Sequence, residues 1–199
     1  MARRPKPLTR EQQPKYTGVG SRSTPDDVLE LMTALAVDLR AIGYTLRSGG
    51  AEGADTAFGA GAKHQAHIFL PWANFGTVEP GALAITFAQA IDPDVTAIAR
   101  GVHPAWNNLT DGPRKLHARN VRQVLGVSLK EPSDFLLCWT PEGRDLGGTA
   151  TAIRLAHQRA VPVYNLGHDD VLDKFQTLGI RAITPALTVP TTLPSDLPF

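Results

Sequence analysis

The sequence predicts a single α/β domain, a parallel sheet covered by helices on both faces. Three observations lead there. Short apolar and β-branched runs alternate with stretches of helical periodicity along the 199 residues. Three of the strand-to-helix passages, "YTGVGSRSTPDDV", "TLRSGGAEGADTAF" and "DLGGTATAIRLA", are marked by glycines. A chain of this length also builds one sizeable core but leaves two full domains cramped.

Each element follows from its own pattern. Residues 1–14 are polar, basic and proline-bearing, the composition of a flexible or surface-lying arm. "KYTGVG" is a first strand ending in glycine. From Pro25 the pattern turns helical: proline suits a first turn, and Asp26 and Asp27 suit the positive end of the helix dipole. Leu29, Met32, Leu35, Ala36 and Leu39 recur at three- and four-residue spacing, and Gly43 ends the helix. "YTLRS" is a second strand, "GADTAFGAGAKHQ" a helix of small residues suited to close packing, and "AHIFLP" a third strand. Residues 72–112 form an insertion expected to flap over one end of the sheet, with "EPGALAITFAQAID" and "DPDVTAIARGV" as two short helices. "GPRKLHARNVRQVLG", with an early proline and a terminal glycine, is a helix. "DFLLCW" is a buried strand, "GGTATAIRLAHQRA" a helix, "VPVYNL" the last strand and Asp169–Leu178 the last helix. One domain thus spans 15–180, and the proline-bearing tail 181–199 lies extended against the body or a partner subunit.

Composition narrows the function. Twenty basic against nineteen acidic side chains create no global field for nucleic acid or anionic membranes, so any anion binding is local. The one cysteine, Cys138, sits in an apolar run and reads as a buried structural thiol. No run approaches the ~20 apolar residues of a membrane span, and the basic start lacks the apolar stretch of a secretory signal, so the cytoplasm is the expected compartment. The six histidines show no ligand spacing, so no metal is expected, and no cofactor.

In a parallel sheet, ligands bind at the carboxyl ends of the strands, where all three glycine passages fall. The first holds Gly18, Gly20, Ser21, Arg22 and Ser23: bare backbone, hydroxyls and a guanidinium at a helix start, the donors an anion needs. A plain tight turn explains the glycines alone but not the Ser-Arg-Ser. The dinucleotide fingerprint is not met, because Ser23 replaces its third glycine and the second strand ends in Arg47 and Ser48 rather than an acid. In the second passage Ser48, Gly49 and Gly50 make a bare turn. Asp55 either caps the following helix or contacts a ribose hydroxyl, with Glu52 as the second acid. A side chain at Gly49 is expected to fill ligand space without harming the fold. In the third, Gly147, Gly148, Thr149 and Thr151 offer amides and hydroxyls to a phosphate, or a hydroxyl cap to the helix. Arg114, Lys115, Arg119 and Arg122 read as a basic face, with Asn120, His103 and His117 nearby. Trp106 and Trp139 are either flanks for a base or core.

Taken in this order, "GSR", "SGGAEGAD", "HPAW", "ARN" and "GGTATAIRLA" resemble the SLOG superfamily of Rossmann-like nucleotide-binding proteins, in particular its short DprA-like, YspA-related members often carried by bacteriophages. The resemblance spans roughly residues 16–166. It implies a Rossmann-like domain with a nucleotide or nucleotide-derived ligand at the sheet's carboxyl edge. It also implies ligand roles for Gly20, Ser21 and Arg22, for Gly49, Gly50 and Asp55, and for Arg119 and Asn120, with Gly148, Thr149 and Thr151 on the phosphate. One departure matters. The phosphoribohydrolase branch carries GGxGTxxE with a catalytic glutamate, and aligning its Gly-Thr with Gly148-Thr149 puts Ala152 at the acid's position. Glu52, Glu142 and Asp145 are the carboxylates left to replace it.

Three readings follow. The first is a sensor or sequestering protein for a nucleotide-derived signal. The second is an N-glycosidase of nucleoside monophosphates with a displaced acid. The third is a DprA-like accessory factor that binds single-stranded DNA through the basic helix, against which the near-zero net charge weighs. The first is preferred, with no release of free base. Self-association is common among the proteins it resembles, so a homo-oligomer is expected.

Overall fold

A computed structural model describes residues 13–86 and 92–183. Nearly all of the expected arm, residues 87–91 of the 72–112 segment and most of the expected tail lie outside them. The described residues form one sheet of six parallel strands in the order β4-β3-β2-β1-β5-β6, flanked by helices in a Rossmann-like arrangement. The strands are β1 (Lys15–Gly20), β2 (Thr45–Ser48), β3 (Ala66–Leu70), β4 (Leu83–Thr86), β5 (Phe135–Trp139) and β6 (Val163–Asn165); the helices are α1 (Asp26–Ala41), α2 (Ala54–Ala62), α3 (Pro93–Val102), α4 (Asp111–Leu125), α5 (Thr149–Gln158) and α6 (Asp169–Leu178).

Strand alternation divides the core into two layers. Tyr16, Leu46, Phe135 and Leu137 face α1, α2 and α6, meeting Met32, Leu35, Phe58 and Phe175. Val19, Leu136 and Cys138 face α3, α4 and α5, meeting Val95, Val121, Val124 and Ile153. The predicted stripe of α1 is buried at Met32, Leu35, Ala36 and Leu39, with Leu29 at its margin. Burial also pushes the Cys138 thiol above its ordinary range, which suits a structural role.

One element differs from its expectation. The stretch "EPGALAITFAQAID" does not give a helix in its described part; Leu83–Thr86 pairs with β3 as a parallel strand, Ile68 opposite Ala84 and Phe69 opposite Ile85. The alanines favour helix, but the outer edge of β3 offers a row of backbone donors and acceptors that a strand satisfies. Tertiary pairing overrides local propensity here. The second of the two expected helices forms as α3, its first turn capped by Asp92, whose Oδ1 accepts from Asp94 N at 2.9 Å.

From β1 the chain builds outward through β2, β3 and β4, then returns to place β5 on the other side of β1. The strand order therefore reverses between β1 and β5, and at their carboxyl ends the two following connections diverge. That is the topological position at which open α/β sheets leave a crevice.

Candidate functional site

A cavity of about 460 Å³ opens at that reversal. The first loop leaves β1 at Gly20, where an added Cβ would lie 2.5 Å from the Ala54 Cβ, so only glycine lets the start of α2 come this close. Ser21 N donates to Trp139 O at 3.2 Å, and Thr24 Oγ1 donates to Ser21 O at 2.8 Å, which ties the loop to β5 and closes its turn. Gly20, Ser21 and Arg22 all line the cavity, Arg22 from an exposed position.

Of the second loop, Ala51 lines the cavity, while Ser48, Gly49 and Gly50 stand behind the wall. Ser48 is buried and its Oγ donates to Gly18 O at 2.7 Å. Gly49 O accepts from Arg119 Nη1 at 2.6 Å, and Gly50 O accepts from Thr77 N at 2.9 Å. None of these three residues lines the cavity. The space a side chain on Gly49 would take is filled by protein: its Cβ would strike Gln123 Nε2 and sit 2.7 Å from Arg119 Cζ. This corrects the expectation that the space belongs to a ligand. Glu52 is exposed and off the cavity.

Asp55 does line the cavity, and it does not cap α2, whose N-cap is Gly53 without a side-chain bond. Its Oδ2 accepts from Ala51 N at 3.3 Å and lies 3.6 Å from Arg119 Nη2. Burial pushes the Asp55 carboxyl up, while Arg119 and the amides of Ala51, Gly20 and Gly49 pull it back.

Helix α4 supplies the opposite wall. Arg119, besides its bonds to Asp55 and Gly49, has its guanidinium 4.8 Å from the centre of the Phe75 ring. Asn120 Nδ2 donates to Gly148 O at 2.6 Å. His117 Nδ1 and Thr151 Oγ1 share a hydrogen bond of 2.8 Å, and the His103 ring lies 4.3 Å from the His117 ring. Burial first, then His103, Arg119 and Arg154, lower the His117 pKa to about 4, so the ring is neutral near neutrality. The supposed basic face is largely occupied: Arg122 pairs with Asp92 at 2.8 Å and donates to Val127 O, and Arg114 lies 3.9 Å from Asp111 and 5.9 Å from the Trp106 ring. Trp106 belongs to the core layer of α3, α4 and α5, and Trp139 packs against the other layer.

The third loop runs from Thr140 to Gly148. Asn165 anchors its start, Oδ1 accepting from Thr140 N at 3.1 Å and Nδ2 donating to Thr140 Oγ1 at 2.7 Å. Gly147 has φ +65°, a conformation that favours glycine, and Gly148 opens α5 with no side-chain cap. A Cβ on either would meet nothing within 4 Å. Gly147, Gly148 and Thr149 line the cavity, whereas Thr151 is buried behind them on His117. Ala152 is fully buried in the core. Glu142 is exposed and paired with Arg144, and Asp145 is exposed; neither lines the cavity.

Several lining residues escaped the sequence reading: Phe75, Leu116, Gln123, Thr140 and Leu146 among them. Gln123 was within reach, since it lies four positions after Arg119 on one helix face. Phe75 was not, because its placement depends on how the 72–112 segment folds back. Among the described residues no cluster of metal-ligating side chains occurs, and no helix is long and apolar enough to cross a membrane.

No protein-family model matches the chain, and no curated relative does. Among solved structures it is similar to DNA processing protein A from Helicobacter pylori, described for its single-stranded DNA binding mode, at 20% identity over 86% of this chain and 77% of that one, with a TM-score of 0.53. It is also similar to the Moco carrier protein from Chlamydomonas reinhardtii, at 20% identity over 83% and 82% of the two chains, TM-score 0.48. At 20% identity the likeness to DNA processing protein A is one of fold.

Proposed function

We propose that this protein binds a nucleotide or nucleotide-derived small molecule in the cavity between β1 and β5, as a sensor or sequestering protein. The observation that carries the reading is the entrance of α5. Neither packing nor, at Gly148, backbone conformation (φ −64°, ψ −37°) demands glycine there, and Gly147, Gly148 and Thr149 at this uncapped helix start line the cavity. An anionic group is the ligand such an entrance suits, with Arg22 on the same cavity to meet it. In this reading Gly20, Ser21, Arg22, Asn120, Gly147, Gly148 and Thr149 contact the ligand, while Ser48, Gly49, Gly50, Asp55, Arg119 and Thr151 hold the walls in place.

The N-glycosidase alternative needs a carboxylate beside the sugar. Asp55 is the acid that lines the cavity, and it is engaged with Arg119 and backbone amides; Glu52, Glu142 and Asp145 lie off it. The single-stranded DNA alternative draws on the likeness to DNA processing protein A, yet Arg119 and Arg122 on α4 are buried against protein partners. Both remain outcomes of one experiment: mass spectrometry of small molecules released from the purified protein, followed by calorimetry with the compounds found. Recovery of a nucleotide that rebinds unchanged supports the proposal. Its conversion to free base, or salt-sensitive binding of DNA with no small molecule, overturns it. The proposal includes a homo-oligomer in the cytoplasm; the outer edge of β4, with Leu83 exposed, supports association, and light scattering checks it.

A further inference from the structure

The side chain of Gln123 is fully buried and lines the cavity, and neither Nε2 nor Oε1 has a hydrogen-bond partner among the described residues. Its polar neighbours on α4 are different. Arg119, one turn earlier, is held by Asp55 and Gly49; Asn120 is held by Gly148; His117 is held by Thr151. The backbone of Gln123 is itself anchored, its carbonyl accepting from Thr17 Oγ1 at 2.8 Å. A buried amide with an idle donor and an idle acceptor is unfavourable, and an apolar residue of the same size would remove the penalty. The bare amide therefore calls for a function.

We infer that Gln123 reads the base edge of the ligand. This rests on the nucleotide reading of the cavity and adds to it an orientation and a specificity residue. A carboxamide presents one acceptor and two donors in a plane. A phosphate or carboxylate offers acceptors only and would leave Oε1 idle. A nucleobase edge carries a donor and an acceptor side by side and satisfies both, as glutamine does when it pairs with adenine. The surroundings fit a flat, partly apolar ring: Val19, Phe75 and Leu116 line the same cavity. Asn120, one turn before Gln123 on the same helix, is bonded to Gly148 at the α5 entrance, so base and phosphate ends are set on adjacent turns of α4. Gly49 completes the arrangement, since any Cβ there would displace the amide.

Calorimetry with the four common nucleoside monophosphates and with a ribose phosphate lacking a base tests the inference on wild type, Gln123→Leu and Gln123→Glu. Wild type is expected to bind at least one nucleotide about tenfold or more tightly than the ribose phosphate. Gln123→Leu should erase that advantage, leave ribose phosphate affinity unchanged and keep or raise the thermal midpoint. Gln123→Glu, which only accepts, should shift preference about tenfold toward guanine, whose edge carries adjacent donors. If Gln123→Leu keeps the nucleotide advantage, or if both variants lose nucleotide and ribose phosphate equally, the base-reading role is overturned while the nucleotide reading stands. A wild type that binds neither compound overturns both. Should Gln123→Leu unfold, the amide is structural; an unshifted base preference in Gln123→Glu likewise overturns the base-reading role.

Discussion

Arg119 reaches Asp55 across the floor of the cavity, Nη2 to Oδ2 at 3.6 Å, while its Nη1 donates to Gly49 O at 2.6 Å. One side chain of α4 thus ties the loop after β2 to the first turn of α2. Both partners are nearly withdrawn from water, so removing one leaves the other's charge without compensation. Asp55→Ala is expected to lower the unfolding free energy by about 3–5 kcal/mol, the range for breaking a buried pair from one side. Urea denaturation measures it; a loss near that of an exposed pair, below about 1 kcal/mol, would show that the pair does not hold these loops together.

Gly49 sits where two side chains already are. Gly49→Val forces its Cβ against Gln123 and Arg119, so the variant should lose about 1–3 kcal/mol of stability by overpacking, alongside any change in binding. Thermal unfolding checks this. A Gly49→Val protein as stable as wild type would mean that the Arg119 and Gln123 side chains move aside freely.

Gly147 and Gly148 separate backbone strain from ligand space. Gly147→Ala places a side chain at φ +65° and should cost about 1 kcal/mol. Gly148→Val adopts a helical conformation into open space, so its thermal midpoint should stay close to that of wild type. Its affinity for a nucleoside monophosphate should fall about tenfold or more, because the added side chain covers the bare amides. Unchanged affinity in Gly148→Val removes the α5 entrance from the binding site.

His117 predicts a pH dependence. Its pKa falls from an ordinary 6.5 to about 4 in the folded protein, chiefly through burial and then through His103, Arg119 and Arg154. The unfolded chain thus binds the proton more readily than the folded one below pH 6.5. The stability this group contributes is complete above pH 6.5 and is lost as pH falls through about 4. Thermal midpoints measured across that window should fall more steeply for wild type than for His117→Gln. Parallel profiles for the two proteins would exclude His117 as the source.

The order and kind of nearly every element were legible because they depend on local features: the stripe of α1, the apolar run of Phe135–Trp139, the glycines beside the helix starts. The parallel sheet followed from that alternation, since parallel strands need long crossovers that are most often helical, and the candidate site was expected at its carboxyl edge; the link between β3 and β4, residues 71–82, makes its crossover without a helix. What the chain's local pattern does not contain is which surface each side chain meets. Leu83–Thr86 became a strand because β3 had an open edge, a circumstance set by distant residues. Gly49 and Gly148 read alike in sequence, yet the first is bare to admit Arg119 and Gln123 and the second is bare toward the cavity. Arg119 and Arg122 lie on neighbouring turns of one helix, but one closes on Asp55 and the other on Asp92, partners far apart in the chain and brought to α4 only by the fold. Periodicity places a residue on a face; only packing decides whether that face meets solvent, protein or a cavity, because burial is a property of what the rest of the chain brings alongside.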